Sequence, residues 1–460
     1  MERQKTIKKD ISFSGHGIHT GVFTNMTLIP APENTGIVFI RTDKKFLKIK
    51  ADVENVISTE RSTNLSVGNV LVKTVEHILA AISGNDIDNI YINIDNEEIP
   101  IMDGSAKIFS DEISKTGIIS QNAQKKIYVI EKKIRYYDKD SDTEIIALPS
   151  EGFEIDLTID YNSKVLGTQN IKLEKISDFN TEISSSRTFC FLNELEILLE
   201  KNLIKGGDLN NAIVFVENEI DKTKLSNLAK VFNKKDINRN QNGILNNIKL
   251  RFDNEAARHK LLDLIGDLTL TSYKLKCKII ANKTGHYHNI KFAKKIKEII
   301  NKKMKTEAPY INFNTSPLHN KESIKNILPH REPFLFIDEI RDLGEDFIVG
   351  VKYVKKEEDY FKGHFPGAPV MPGVLQLETM AQTGGVLILS TVKDPENYLT
   401  YFMKIDNAKF KRKVTPGDTI IFKLELISPI RRGLCHMHGK GFVDNKIVVE
   451  ADLLAQIAKK

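Results

Sequence analysis

The chain has 460 residues, a formal net charge of +6 at pH 7, 41% apolar residues and 28% charged residues. That length suits roughly two to four domains, and so small a charge excess does not argue for a nucleic-acid partner. With no 18-residue apolar run there is no expected transmembrane helix. The first residues have no apolar core behind them, so no secretory leader is expected. The three cysteines, Cys190, Cys277 and Cys435, are widely spaced and odd in number, which fits a reducing cytoplasm and rules out a CxxC metal site.

In chain order, Ile11–Phe13, Asn25–Ile29 and Gly36–Arg41 read as strands. Between the first two, Gly15 to Gly21 form a glycine-rich turn containing His19, either a place for close backbone approach or simply a tight turn. Thr74–Ser83 reads as a helix closed by Gly84. It carries Glu76-His77 among apolar neighbours; such a histidine is either a core residue or a ligand with a base beside it. A strand is expected over Ile87–Asp95, then a turn, Ile99 to Ala106, leading into another helix.

The theme repeats from about residue 123 to 305. Strands are expected at Lys126–Ile134, Phe153–Asp160 and Lys276–Ala281, with a polar turn at Ser184–Phe191 and a helix at Leu192–Lys201. Residues 257–267, Ala-Arg-His-Lys-Leu-Leu-Asp-Leu-Ile-Gly-Asp, read as one helix without proline. At 100° per residue, His259, Lys260, Asp263, Gly266 and Asp267 share about a third of its circumference, opposite Leu261, Leu264, Ile265 and Leu268. A polar stripe on so apolar a back faces a cavity or water. His286 follows a glycine at a strand end, and a basic amphipathic helix is expected over Asn289–Lys305.

Residues 306–322, with two prolines and no periodicity, read as a linker. Composition then shifts to alternating strands at Phe334–Ile340, Phe347–Val354, Tyr398–Lys411, Thr419–Ile427, Cys435–Val443 and Lys446–Gln456. One long helix, Pro372–Thr391, interrupts them, with proline at its first position. Its residues are apolar nearly all round, so it is expected to be buried.

Taken together, His77, His259 and Asp263 form a three-ligand set with a fourth position open to water, the arrangement of catalytic rather than structural zinc. Zinc brings bound water to a pKa of about 7. Glu76 could take the proton from that water. His286 could protonate a leaving nitrogen, with Asp267 raising its pKa. Thr188 could share in stabilising an oxyanion.

Thr-Val-Glu-His at 74–77, Ile-Pro-Ile-Met-Asp-Gly-Ser at 99–105, Ser-Arg-Thr-Phe at 186–189, the 258–267 helix and Gly-His at 285–286 resemble UDP-3-O-acyl-N-acetylglucosamine deacetylase, the zinc amidase of the lipid A pathway. The resemblance covers about residues 1–303. It implies two tandem α/β two-layer sandwich domains, 1–122 and 123–305, within an α+β chain. His77, His259 and Asp263 would be the metal ligands, Glu76 the base, and His286 the acid supported by Asp267. Thr188 would assist the oxyanion, and Lys260 would contact the substrate. Phe189 and Phe191 would line the sugar-nucleotide site. Leu192–Gly207 would form an acyl-chain passage walled by Leu195, Leu198 and Ile204. Cys190 departs from the glycine many relatives carry there. His₂Asp ligation also suits iron, so Zn²⁺ is the expected cofactor with iron as the other candidate in the cell.

In the last third, Gly363-His364-Phe365-Pro366-Gly367 precedes a helix bearing Glu378. Dehydration of a β-hydroxy thioester needs a base near Cα, an acid for the departing hydroxyl and donors for the thioester oxygen. His364 and Glu378 are of the right types, and the Gly373 amide in the first helical turn is a free donor. This turn, Leu328 to Phe334 and Leu375 to Gln382 resemble 3-hydroxyacyl-acyl-carrier-protein dehydratase of the hot-dog fold, over about 323–460. The resemblance implies a site shared between two protomers of a homo-oligomer, a dimer or a trimer of dimers, with Tyr401 gating the acyl tunnel. Lys409, Lys411, Arg412 and Lys413 are either a solvated strand edge or a dock for an acidic acyl carrier protein.

The expected protein is thus a cytoplasmic bifunctional enzyme acting on UDP-3-O-acyl-N-acetylglucosamine and on acyl carrier protein thioesters, with no nucleic-acid partner. The rivals are a different zinc amidase joined to a thioesterase-like hot-dog domain, and a chain with one half catalytically inactive and serving as a carrier-protein-binding or oligomerisation scaffold.

Overall fold

A computed structural model of the chain describes residues 2–195, 211–218, 220–231, 234, 236–239, 243–245 and 249–460. The chain divides into two compact units, Met1–Ile299 and Ile300–Lys460.

The first unit uses one plan twice. Its first sheet comprises β1 (Ile11–His16), β2 (Phe23–Pro30), β3 (Ile37–Arg41), β4 (Leu47–Lys50) and β6 (Ile90–Ile94), in the order β1-β2-β6-β3-β4. A short strand, β5 (Asn64–Val67), and helix α1 (Glu76–Gly84) lie between β4 and β6, and helix α2 (Lys107–Thr116) follows β6. The second sheet has β8 (Ile134–Asp138), β9 (Thr143–Leu148), β10 (Phe153–Asp160), β11 (Thr168–Leu173) and β14 (Lys274–Asn282), in the order β8-β9-β14-β10-β11. In each sheet the last strand in sequence enters the middle, antiparallel to the second and parallel to the third. In the second half, helix α3 (Glu255–Thr269) stands where α1 stands in the first, and helix α4 (His286–Thr306) stands where α2 does.

Strict alternation makes the sheets. Along β14 every second residue is buried, from Leu275 through Cys277 and Ile279 to Ala281. Helices α1 and α3 pack against each other, so their second faces are buried too. Gly266 makes this approach possible. A Cβ there would lie 2.2 Å from the carbonyl oxygen of Glu76, so only glycine fits.

Three expected elements differ. Lys126–Ile134 is not one strand. β7 (Ile127–Val129) pairs parallel with β14, whereas β8 pairs antiparallel with β9. The exposed run Glu131-Lys132-Lys133 breaks the alternation between them. The basic helix begins at His286 rather than Asn289, because the Asn289 amide already bonds to the Gly285 carbonyl, 2.9 Å away. The polar turn at Ser184–Phe191 ends as a strand, β12 (Phe189–Phe191), paired parallel with β13 (Ile213–Phe215). Residues 192–195 are helical; the remainder of the expected helix and acyl-passage insert, with Leu198 and Ile204, lies outside the described residues.

The second unit is an antiparallel six-stranded sheet folded onto one helix. Its strands are β15 (Glu339–Leu343), β16 (Phe347–Tyr353), β17 (Tyr398–Phe410), β18 (Thr419–Leu426), β19 (Leu434–Val443) and β20 (Lys446–Lys459), in the order β15-β16-β18-β19-β20-β17. Helix α5 (Gly373–Leu389) lies against it, with Met380, Val386, Leu387, Ile388 and Leu389 in the core. Each such side chain contributes about 1.5–3 kcal/mol of burial. Pro372 is the N-cap rather than the first helical residue. The strand expected from Phe334 starts only at Glu339. Gln382 of α5 takes the place of a sheet neighbour before it, accepting from the amides of Phe336 (2.8 Å) and Ile337 (3.3 Å) and donating to the Phe334 carbonyl (2.8 Å).

Candidate functional sites

Helix α1 presents Glu76 and His77 in its first turn, and α3 presents His259, Asp263 and Asp267 one turn apart. Helix α4 adds His286 at its start. All are buried or nearly so. The candidate ligand atoms of His77, His259 and Asp263 lie within 4.8 Å of one another. The Asp263 Oδ1 atom is 3.4 Å from His259 Nε2 and 3.8 Å from His77 Nε2, and it has no hydrogen-bond partner. A buried carboxylate oxygen left bare among imidazole nitrogens is costly unless something positive fills the gap. The donor set therefore fits a metal ion. His259 Nδ1 lies 3.1 Å from the Ser186 carbonyl, which fixes the proton there and leaves Nε2 free to ligate.

The electrostatics agree. Burial, with His259 adding, pushes His77 down to about 3, and burial also lowers His259, so both imidazoles are neutral, as ligands must be. Burial works against the charge on Asp263, yet His259 and Lys260 hold its carboxyl well below the usual range. The Lys260 ammonium donates to Asp263 Oδ2 at 2.9 Å and lies over the Phe189 ring at 5.5 Å. Glu76 is raised to about 7, chiefly by burial. The His286 charge opposes that shift, and Asp263 and Asp267 add to it. His286 is raised as well, by the opposite balance of causes. Burial would lower it, but Asp267, Asp263 and Glu76 together raise it to about 9. The Asp267 carboxylate holds His286 Nδ1 at 3.0 Å and accepts from Asn289 at 2.8 Å. This leaves His286 Nε2 3.9 Å from Glu76 and 3.8 Å from Asp263.

A cavity of about 320 Å³ opens over these groups. Thr188, Phe189, Cys190, Phe191 and Leu195 line one side, with Tyr161, His19 and Arg61 around it. Phe189 and Phe191 pack edge-on against Tyr161 at 5.7 and 5.6 Å. Thr188 is set by backbone bonds, its amide to the Gly104 carbonyl and its carbonyl to the Ile213 amide, both 2.8 Å. Burial pushes the Cys190 thiol up to about 12, so it stays protonated.

Several participants carry no signal in the sequence. Glu255 holds the Arg187 side chain and amide at 2.9 and 3.0 Å, anchoring the segment that bears Thr188. Thr63 touches both the Glu76 and Asp267 carboxylates. These contacts join residues far apart in the chain, and no local pattern marks them.

In the second unit, Glu378 lines a cavity of about 80 Å³ with His330, Gln382, Gly384, Tyr401 and Phe402. It is partly exposed and has partners: Gln382 donates to it at 2.9 Å, and His330 Nε2 is 3.5 Å away. His364 does not line this cavity. Its Nδ1 lies 2.8 Å from the Val370 carbonyl and its ring stacks on Phe365, at 4.0 Å between centroids. Gly373 opens α5, where its amide has no intrahelical acceptor. The edge strand β17 carries Tyr401, Phe402, Met403 and Ile405, all at least 41% exposed.

Among the described residues, no helix is long and apolar enough to cross a membrane. The profile of the UDP-3-O-acyl N-acetylglycosamine deacetylase family matches residues 4–228 and 226–298, and that of the FabA-like domain matches 328–452. The chain is 44% identical to proteins named bifunctional enzyme LpxC/FabZ from Porphyromonas gingivalis and Bacteroides thetaiotaomicron. The alignments span 99% of both chains in the first case and all of both in the second. It is 38% identical to a UDP-3-O-acyl-N-acetylglucosamine deacetylase from Thermodesulfovibrio yellowstonii, over 69% of this chain and 99% of that one. The chain belongs to the UDP-3-O-acyl N-acetylglycosamine deacetylase family, with a FabA-like domain in the same polypeptide.

Proposed function

We propose that this chain joins two enzymes. The first unit hydrolyses the acetamide of UDP-3-O-(3-hydroxyacyl)-N-acetylglucosamine and releases acetate. The second dehydrates (3R)-hydroxyacyl-acyl carrier protein to the trans-2-enoyl thioester. The observation that carries the reading is the coverage of one chain by both family profiles, with a bare Asp263 oxygen between two neutral histidines in the first unit. The intact polar groups at both sites disfavour an inactive scaffold.

In the deacetylase, His77, His259 and Asp263 would hold Zn²⁺, with iron the other cation this ligand set suits. A divalent ion there supplies Lewis-acid polarisation of the amide carbonyl and acidifies water. Glu76 takes the proton of the attacking water, a task for which a pKa of about 7 is well matched. His286 is cationic at neutral pH and gives its Nε2 proton to the nitrogen as the C–N bond breaks, leaving an amine and acetate. Asp267 holds His286 in that state. Thr188 stands to assist the oxyanion that develops on the amide carbonyl. Lys260, Phe189 and Phe191 receive the sugar nucleotide, and Leu195 borders the acyl chain.

In the dehydratase, His364 and Glu378 form the base–acid pair, Gly373 N–H holds the thioester oxygen, and Tyr401 gates the acyl tunnel. Glu378 faces a cavity that His364 does not line, and this supports a site completed by a second protomer. The exposed apolar edge β17 is a ready pairing surface for that homo-oligomer, a dimer and in turn a hexamer. Lys409 and Lys411 are paired with Glu450, at 3.4 and 2.9 Å, while Arg412 and Lys413 are exposed beside them as a dock for acyl carrier protein. We divide the chain at 1–122, 123–305, a linker at 306–322 and 323–460. Three free thiols support a cytoplasmic setting.

The test is acetate release and enoyl-thioester formation by the full-length protein, each with and without prior chelation. Release that chelation abolishes, with dehydration untouched, is the expected result. Metal-loaded protein that releases no acetate would sink the first activity.

A further inference from the structure

We propose that Thr63 is a positioning residue of the deacetylase site, setting the proton-accepting and proton-donating arms relative to each other. The inference rests on the assignment of Glu76, Asp267 and His286 made above.

Thr63 immediately precedes β5 and is fully buried. Its three polar groups are all engaged by the helices that build the site. The amide donates to Glu76 Oε2 at 3.0 Å. The carbonyl accepts from the Val75 amide at 3.2 Å, at the entrance to α1. The hydroxyl donates to Asp267 Oδ1 at 2.5 Å, and its oxygen lies 3.3 Å from His286 Nδ1. One residue thus grips an oxygen of Glu76 and an oxygen of Asp267.

The consequence follows from valence. Asp267 is buried and has three donors: Thr63, Asn289 and His286. The first alone serves Oδ1. Without it one carboxylate oxygen is unsatisfied, and a buried bare oxygen draws the group into a new rotamer. Its other oxygen, Oδ2, then no longer holds His286 Nδ1, and the Nε2 proton loses its aim. The amide bond to Glu76 persists in any side-chain variant, so the base stays placed while the acid drifts. Second partners of this kind cost roughly 10–100-fold in activity when removed.

The experiment measures acetate release by full-length Thr63→Val, Thr63→Ser and Asp267→Asn proteins and the Thr63→Val/Asp267→Asn double variant, together with metal stoichiometry. Thr63→Val is expected to lower kcat by about 10–100-fold, with KM and bound metal nearly unchanged. Thr63→Ser, which keeps the hydroxyl, is expected to recover most of the rate. In the Asp267→Asn background the valine substitution is expected to cost little, because the two act through one bond. If Thr63→Val does not load metal, Thr63→Ala is read in its place. A wild-type kcat in Thr63→Val, a serine variant as slow as valine, or full additivity with Asp267→Asn would each overturn the role of Thr63 alone. A wild-type rate in Asp267→Asn would overturn the site assignment itself, and the role of Thr63 with it.

Discussion

The two sites place their carboxylates and histidines in opposite ways. In the first unit, Glu76, His77, His259, Asp263 and Asp267 are each no more than 4% exposed. Two helices from equivalent positions of a repeated plan meet face to face, and their polar stripes meet with them. In the second unit, Glu378 projects from a buried helix into a cavity near an exposed sheet edge, and His364 is held in a turn outside that cavity. A deeply buried cluster can tune its members through one another: burial raises Glu76, while the carboxylates of Asp267, Asp263 and Glu76 raise His286 against its burial. A site at an edge leaves part of its assembly to association. The first centre is therefore expected to break by internal substitution and the second by loss of a partner.

The largest effect is expected at Asp263. Asp263→Ala removes a proposed ligand and the carboxylate that three imidazoles and Lys260 face, so metal content by elemental analysis and acetate release should both fall to background. Next come the substitutions that spare structure but remove a proton carrier. Glu76→Gln should retain metal and lose about 10²–10⁴-fold in deacetylation, while Glu378→Gln should lose a similar factor in dehydration with acetate release intact. Loss of both activities in either variant would contradict independent sites.

A smaller effect sharpens the contrast. Co-expressed His364→Ala and Glu378→Gln chains, each inactive alone, should regain about a quarter of the wild-type dehydratase rate if each site takes one residue from each protomer. No recovery in a mixed oligomer would mean that a single chain supplies both groups. Smallest is Gly266→Ala. Its methyl group would sit against the Glu76 carbonyl, so α1 and α3 must part, at a cost of about 1–3 kcal/mol. A lowered Tm with weaker metal retention is the expected reading, and an unchanged Tm would show that the helices slide freely.

Much of the first site was legible because helices are local. His259 and Asp263 are one turn apart by spacing alone, and Asp267 follows one turn on. The alternation of β14 and the apolar run of α5 declared their burial in the same way. The strand boundaries were less legible. Lys126–Ile134 reads as one strand but serves two neighbours, and Phe334–Ile337 bonds to a glutamine side chain instead of a strand.

What the sequence by itself determined is the set of chemical groups, their phase on each helix or strand, and the order of the motifs. These depend on periodicities of a few residues, which the order of residues records directly. What only the tertiary structure decided is which faces meet. The Thr63 hydroxyl reaches Asp267 across 204 positions of chain, Glu255 holds Arg187 across 68, and Gly266 admits the Glu76 carbonyl. Such contacts arise from the packing of segments distant in the chain, and packing depends on the shapes of surfaces that no stretch of the chain carries alone.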